Sequence, residues 1–510
     1  MTFAMALAWN IDSIKANDLE IFFSTVAERE FGPRFRQEIG AAWHEYDRLV
    51  SMRRHEHIEP NTFSLLNYKE GEDVLDRWKT LLAVVESIQK RMPVEQHPSM
   101  FELVVHPIKA SYIFITLQIS LGRNQLYAKQ RRNSANKVAQ EVLDLFELDF
   151  SLSEEYHALL NGKWNGIMQQ PHYGFGDTWH APSRDMISGL CFVQRRQNSN
   201  AIVGQMGVAV EGHEGVRPGR CNEESDRTHP SRRDLVPGVT LGSMTRYGPE
   251  NRWFDIYTRG ALVINWTATT PHPWIILSST AGRLFPGEDD VRVEIAIDWD
   301  NVPVDFDQEA LIDIRSEEGD FEQIHLHITG RQAPDSFKNG FVEGDGYISI
   351  PGPSCNVESP YRVLPEVGRS PTGSVTVEHV SGKCLSYLTY NVYMFTKASK
   401  IELLLYFNMT LDLDPASPME YEILVDDNLV QKQELASKPP NNGELPDGWF
   451  SSVQDCVWIK THTISRDEFK PGQHTVKIGL TSSNLVLEKL VLDFGGVKQS
   501  YLGPPPSFCM

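Results

Sequence analysis

Apolar residues in this chain recur every three to four positions as far as Gly162, and every two positions beyond Val203. The first period belongs to a helix with one buried face, the second to a strand. A chain carrying both in separate blocks packs helices first and sheets afterwards. In the first block, Leu19, Phe22, Phe23 and Val26 form one stripe, with Asn17 and Asp18 as caps and Gly32-Pro33 as a stop. Phe35, Ile39, Trp43, Tyr46 and Val50 form a second stripe. Val74, Leu75, Trp78, Leu81, Leu82, Val85 and Ile88 form a third. A fourth helix is expected over 101–121, interrupted near Pro107, and a fifth around Val138, Val142, Leu145 and Phe146. Several one-faced helices with short connections predict an antiparallel bundle.

Residues 162–200 are rich in Gly, Pro, Trp and His and have no long period, so they read as an ordered connector. Strands are expected at 254–258, 262–266, 291–297 and 324–328, and 213–249 reads as a long polar loop. A second β region is expected at 374–380, 385–395, 401–409, 420–426, 473–481 and 485–493, with 438–443 as a loop. Many short strands between turn residues predict β-sandwiches. At 510 residues, about three domains are expected.

The formal net charge of −20 argues against a nucleic-acid partner, because an acidic surface repels phosphates. No uninterrupted apolar run approaches a membrane span, and no membrane partner is expected. The apolar start, Met1 to Trp9, has neither a basic leader region nor a cleavage site, so no signal peptide is read. Cys191, Cys221, Cys355, Cys384, Cys456 and Cys509 are far apart and read as free core cysteines. No cofactor motif occurs and no metal site is expected. His55 and His57 are poorly spaced for one helix face, and His325 and His327 have no obvious third ligand. Asn265-Trp266-Thr267 and Asn408-Met409-Thr410 are candidate glycosylation sequons.

Several short segments stand out along the chain. They are Leu7 to Asn10 and Ala27 to Gly32, then Arg53-Arg54-His55-Glu56-His57-Ile58 and Thr62 to Tyr68. Lys163-Trp164-Asn165-Gly166-Ile167-Met168 and Gln170-Pro171-His172-Tyr173-Gly174 follow, and then Phe341 to Tyr347 and Ser500 to Pro505. Together they resemble glycoside hydrolase family 115, the xylan α-1,2-glucuronidases, and their order covers nearly the whole chain. The resemblance implies that residues 1–50 are terminal helices of a truncated (β/α)8 barrel and 51–165 a helical bundle. It places a connector at 166–200, an immunoglobulin-like β-sandwich at 201–332, and the family's C-terminal β-sandwich at 333–510. Pro273 to Ser278, Gly282, Pro286-Gly287 and Asp298-Trp299 resemble the immunoglobulin-like module. One departure is Ile348-Ser349-Ile350-Pro351-Gly352, which has no acidic residue where the family carries an acidic run.

The family removes (4-O-methyl-)glucuronic acid side chains from glucuronoxylan, is extracellular, and is a possible homodimer. The polysaccharide is therefore the expected partner. The resemblance places the catalytic carboxylates in the barrel before Met1, because barrel active sites lie at strand ends. No catalytic residue is carried over, and this chain alone is expected to be inactive. Acidic residues such as Asp298, Asp300 and Asp313 are better explained by strand ends and turns than by the paired carboxyls of glycoside hydrolysis.

Arg53 and Arg54 read either as a solvated helix end or as a rim of the sugar cleft gripping a uronic carboxylate. Trp164, His172 and Tyr173, with Trp179 and His180, either pin a loop to a domain boundary or line the cleft mouth. Trp449 and Trp458 face a choice between core and sugar platform. Two alternatives to a truncated glycosidase stand: a carbohydrate-binding module, and a structural remnant exposing an apolar stripe within residues 1–32.

Overall fold

The computed structural model describes residues 2–14, 18–175, 182–195, 204–214, 239–355, 357–378, 386–410, 418–436 and 444–510. Helices come first and sheets follow. The helices are α1 (Thr2–Trp9), α2 (Leu19–Phe31), α3 (Arg36–Ser51), α4 (Glu70–Arg91), α5 (His97–Met100), α6 (His106–Lys129) and α7 (Ala135–Gly162, broken at Leu159–Asn161). The stripe on α4 buries Val74, Trp78, Leu81, Val85 and Ile88, the i, i+3, i+4 positions of one face. Its first turn carries Glu70, Glu72 and Asp73 and its last Lys90 and Arg91, charges that oppose the helix dipole. At Gly32 the chain leaves α2 with φ 82°, a conformation that disfavours a side chain, while its N–H closes on Glu28 O at 2.8 Å. Helices α2 to α7 share one apolar cluster.

Pro107 does not interrupt the fourth helix. A π-helical turn at Phe101–Val105 leads into α6, and Pro107 sits in its first turn, where the lost N–H costs little. By length and composition the helical stretch 94–129 is apolar enough to cross a membrane, but most of its apolar window is buried inside the protein. Helix α1 sets Phe3 edge-on against Phe22 and leaves Met5 and Trp9 exposed.

Among the described residues the first β region has nine strands: β1 (Met206–Val210), β2 (Val239–Thr245), β3 (Asn251–Thr258), β4 (Ile264–Thr269), β5 (Ile275–Leu277), β6 (Ala281–Leu284), β7 (Val291–Ile297), β8 (Asp307–Ser316) and β9 (Phe321–Thr329). They form two sheets, ordered β1-β3-β7-β5 and β2-β9-β8-β4-β6, that share one apolar cluster. The expected loop at 213–249 is corrected at its end. There β2 pairs in parallel with β9, and a register shift between Leu241 and Met244 breaks the alternation that would have marked a strand. Residues 215–238 lie outside the described residues.

The second β region comprises β10 (Phe341–Val342), β11 (Tyr347–Pro351), β12 (Tyr361–Leu364), β13 (Ser374–Val377), β14 (Leu388–Met394), β15 (Ala398–Asn408), β16 (Glu420–Val425), β17 (Asn428–Glu434), β18 (Val457–Phe469), β19 (Gly472–Leu480) and β20 (Leu487–Asp493). Helix α8 (Trp449–Asp455) precedes β18. One sheet runs β10-β14-β19-β16-β17. The other runs β12-β13-β20-β15-β18, with β11 also on β20, and the two share the largest apolar cluster. The non-acidic segment noted above is β11, buried at every position.

The cysteines need correction. Cys191, Cys355 and Cys456 are free but half-buried, and Cys509 is free and exposed, so none of the four is a core residue. Cys221, Cys384, Asn17, Trp179, His180 and the loop 438–443 lie outside the described residues.

Candidate functional site

The candidate cleft residues are not brought together. Arg53 is 6% exposed and cannot rim an open cleft. Its guanidinium donates to Asp455 Oδ1 at 2.6 Å and to His57 O at 2.7 Å, and lies 4.8 Å over the Tyr501 ring. Arg54 is exposed at the start of a short 3-10 turn. Trp164 is half-buried against the helical core, with Lys163 4.4 Å over its ring. Tyr173 is 4% exposed and stacks on Phe114 at 5.6 Å, so it is a packing residue rather than a cleft wall. His172 Nδ1 lies 2.7 Å from Asp149 Oδ2 on α7. That hydrogen bond raises the histidine pKa above its ordinary value, against the opposing effect of burial.

Asn265 donates to Glu317 Oε2 at 2.7 Å at the surface. Asn408 is 6% exposed and its amide donates to Ser374 Oγ at 2.6 Å. The folded chain therefore has no room for a glycan at Asn408. Trp458 is buried beside half-buried Trp449 in the second β core, which leaves no flat sugar platform of that pair. Among the described residues, no group of three His, Cys, Asp or Glu side chains is placed to hold a metal ion.

What the fold does assemble is a set of buried charges where its three parts meet. Between helices and first β region, the turn after α6 delivers Arg132, which is 1% exposed. Its Nη1 lies 3.0 Å from Asp255 Oδ2 on β3 and 3.0 Å from Asp290 Oδ2 before β7. The guanidinium is also layered between Tyr127 at 4.1 Å and Tyr257 at 4.5 Å. Arg292 stands directly across from Asp255 in the β3–β7 ladder and donates to Asp255 Oδ1 at 2.8 Å. It also pairs with Glu72 of α4. Asn133 and Ser134 add bonds to Thr258, Gly260 and Asp290.

Burial raises the pKa of Asp255, but Arg132 and Arg292 outweigh it and hold this carboxyl below its ordinary value. Burial lifts Asp290 above its ordinary value despite Arg132 and Ser134. Two carboxyls with opposed shifts can mark an acid–base pair. Here one guanidinium nitrogen stands between them, where a glycosidic oxygen would have to lie. The arrangement fastens the helices to the first β region.

Between the two β regions, Arg252 donates to Glu211 Oε1 at 2.9 Å and pairs with Asp345 Oδ2 at 2.5 Å. Between helices and second β region, Glu70 accepts the backbone N–H groups of Ser64, Tyr501 and Leu502 at 2.7, 3.0 and 2.5 Å. Burial raises the Glu70 pKa, and these three bonds counter the rise. The Tyr501 ring lies between the guanidiniums of Arg53 and Arg369, at 4.8 and 4.9 Å. Its hydroxyl sits 2.7 Å from the carbonyl oxygens of Met52 and Asp455. Farther along α3, His44 Nε2 lies 2.8 Å from Glu366 Oε2. Sequence reading missed all of these charges except Arg53. The available signal was the outward face of β3, where Trp253, Asp255 and Tyr257 put an acid between two aromatics.

The family model for the glycosyl hydrolase family 115 C-terminal domain matches residues 340–506, and the model for glycosyl hydrolase family 115 matches residues 1–57. No curated protein matches the chain. Among solved structures, BtGH115A, described as a family GH115 4-O-methyl-α-glucuronidase with specificity for decorated arabinogalactans, aligns at 12% identity and TM-score 0.51. The alignment covers 96% of this chain but 43% of that one, so the chain spans less than half the relative's length, and the likeness is one of fold. The C-terminal family 6 carbohydrate-binding module of a laminarinase, LamC, from Zobellia galactanivorans covers 29% of this chain and 98% of its own length, at 11% identity and TM-score 0.20. A family 35 carbohydrate-binding module from an environmental isolate covers 30% and 91%, at 13% identity and TM-score 0.18. At those scores neither module bears on fold or function.

Proposed function

Since this chain belongs to glycoside hydrolase family 115, we propose that it is the non-catalytic frame of an α-glucuronidase acting on glucuronic-acid-decorated polysaccharide. The observation that carries the reading is the contact between the two family-matched segments. Arg53, from the first, is ion-paired with Asp455 and stacked on Tyr501, both from the second. His44 and Glu366 repeat the connection. Positions 402 and 322 residues apart in sequence are thus joined by charge-assisted bonds in a partly buried setting. Such a joint fixes one part of an enzyme in register with another.

On this reading α1 to α3 are the closing helices of a (β/α)8 barrel, and the bundle and two sandwiches, the first immunoglobulin-like, buttress it. The substrate is glucuronoxylan, and the bond cleaved is the α-1,2 link to (4-O-methyl-)glucuronic acid. The intact enzyme works outside the cell, with dimerisation as a further role of the frame. Asp255 with Asp290, and Glu211 with Asp345, are each locked on a shared guanidinium, which supports silence of these 510 residues by themselves. A second substrate reading, decorated arabinogalactan, is favoured by the specificity described for BtGH115A.

The test is release of 4-O-methylglucuronic acid from glucuronoxylan and from decorated arabinogalactan by the purified chain. No release above the buffer control from either polymer is the expected result. Turnover of either by the 510-residue chain would overturn the frame reading and name the substrate at once.

A further inference from the structure

Strand β10 is two residues long and covers only Val392 and Tyr393 of β14, while Phe341 also bridges Cys509 on its other side. The first half of β14 is therefore an edge that β10 does not cover. A cavity of about 570 Å³ opens there, lined by Asn339, Phe341, Ser354, Cys355, Thr389, Tyr390 and Asn391. Its volume falls in the range of about 300–1,000 Å³ usual for small-molecule sites.

Among the described residues the lining carries no charged side chain. It offers amides and hydroxyls over an apolar floor of Phe341 and Tyr390, the composition that suits a neutral ligand rich in hydroxyls. The walls are held in place before any ligand arrives. Tyr390 Oη donates to Gly352 O at 2.8 Å and so fixes the turn Gly352–Ser354. Asn391 Nδ2 donates to Asn339 O at 3.3 Å, and the Asn339 N–H is tied to Met510 O at 2.7 Å. Thr389 Oγ1, Ser354 Oγ and the Asn391 side-chain oxygen make no hydrogen bond with the described residues, and Thr389 and Ser354 are exposed. Polar groups facing one opening on a pre-formed wall are what a binding site needs. The cleft beside α4 and α7, of about 480 Å³, differs. It is lined by Glu72, Asp289, Asp290, Lys137 and Arg292, all in ion pairs of the joint described above or on its rim.

We propose that the β14 edge cavity binds a short neutral stretch of polysaccharide main chain, away from any uronic acid. The choice of a sugar among neutral polyols rests on the function proposed above. The test is ligand-observed NMR and calorimetry on the full chain with xylotetraose and with galactotetraose. Binding of one of them is expected, unchanged between low and high salt because no charge takes part. Thr389→Val with Asn391→Ala should weaken it at least about tenfold. Thr389→Val alone, at an exposed strand position, keeps the fold testable if the double variant does not fold. Binding of neither sugar, binding that falls with salt, or binding unchanged in the variants would overturn the proposal. The readout involves no hydrolysis, so its failure is distinct from failure of the frame reading.

Discussion

Arg132→Met tests whether the helices and the first β region are held by the buried charges or merely lie beside them. Methionine keeps much of the side-chain length but removes the charge and five donors. Asp255 keeps Arg292, whose Nε remains 2.8 Å away. Asp290 keeps the Ser134 hydroxyl, at 2.7 Å, and is left as a buried carboxylate that has lost its paired cation. Breaking a buried pair by removing one partner costs about 3–5 kcal/mol. Because Asp255 stays paired, the lower end applies, about 3 kcal/mol, or a fall of about 6–12 °C in the melting temperature of the unit concerned. The pH dependence has a definite sign. Burial already raises the pKa of Asp290, and loss of Arg132 raises it further. A group with a raised folded pKa takes up its proton more readily folded than unfolded, so acidification relieves its penalty. The deficit of the variant should therefore shrink as pH falls through the carboxylate range. Asp290→Asn in the same background should recover much of it at neutral pH, a coupling that a double-mutant cycle isolates. Calorimetry on the four proteins is the assay. A melting temperature within about 1 °C of the parent, or no rescue by Asp290→Asn, would refute the reasoning.

Two further outcomes follow from particular contacts. His172 has a raised pKa from its bond to Asp149, with Asp185 also facing it and His106, lowered to about 4 by burial, left neutral. Its contribution is full below the ordinary histidine value and is lost as pH rises through the raised one. Amide protection factors at 172–173, where Asp185 holds the backbone, should fall from about pH 6 to 8 in the parent and stay level in His172→Gln. Gly122→Ala should lower stability by about 1–3 kcal/mol, since a Cβ there would stand 2.0 Å from Pro60 O; denaturant midpoints that match the parent would show that the loop yields.

How far the sequence could be read depends on which face of each element is covered. The α4 stripe was legible because α4 keeps one face to solvent, so its pattern is unmixed. The strands β14, β16 and β20 were legible for their apolar runs, each within a few residues of its expected span. By contrast β17, Asn428–Glu434, was hidden because it is an edge strand with no position fully buried. In β18 the alternation is masked by a buried polar residue: His462 takes an inward position and its Nε2 lies 2.9 Å from Tyr421 Oη. The charged joints were illegible for a different reason. Asp255 and Arg132 are 123 residues apart, and nothing local distinguishes either from a surface charge until the helices cover β3.

That coverage also says what the charges do. A buried ion pair is poor support for stability, since hydrophobic residues of the same volume often serve as well. What such pairs do supply, as a hypothesis for this protein, is a preference for one docking over others. A bundle sliding by one turn over β3 would keep its apolar contacts roughly intact, because apolar attraction has no direction. It would take Arg132 away from both Asp255 and Asp290, and Arg292 away from Glu72. The same holds where Arg252 meets Glu211 and Asp345, and where Tyr501 lies between Arg53 and Arg369. Three joints between three parts close a triangle, so no part can shift without breaking two of them. A frame of the kind proposed above, presenting a catalytic domain at one fixed orientation, would need that property more than additional stability.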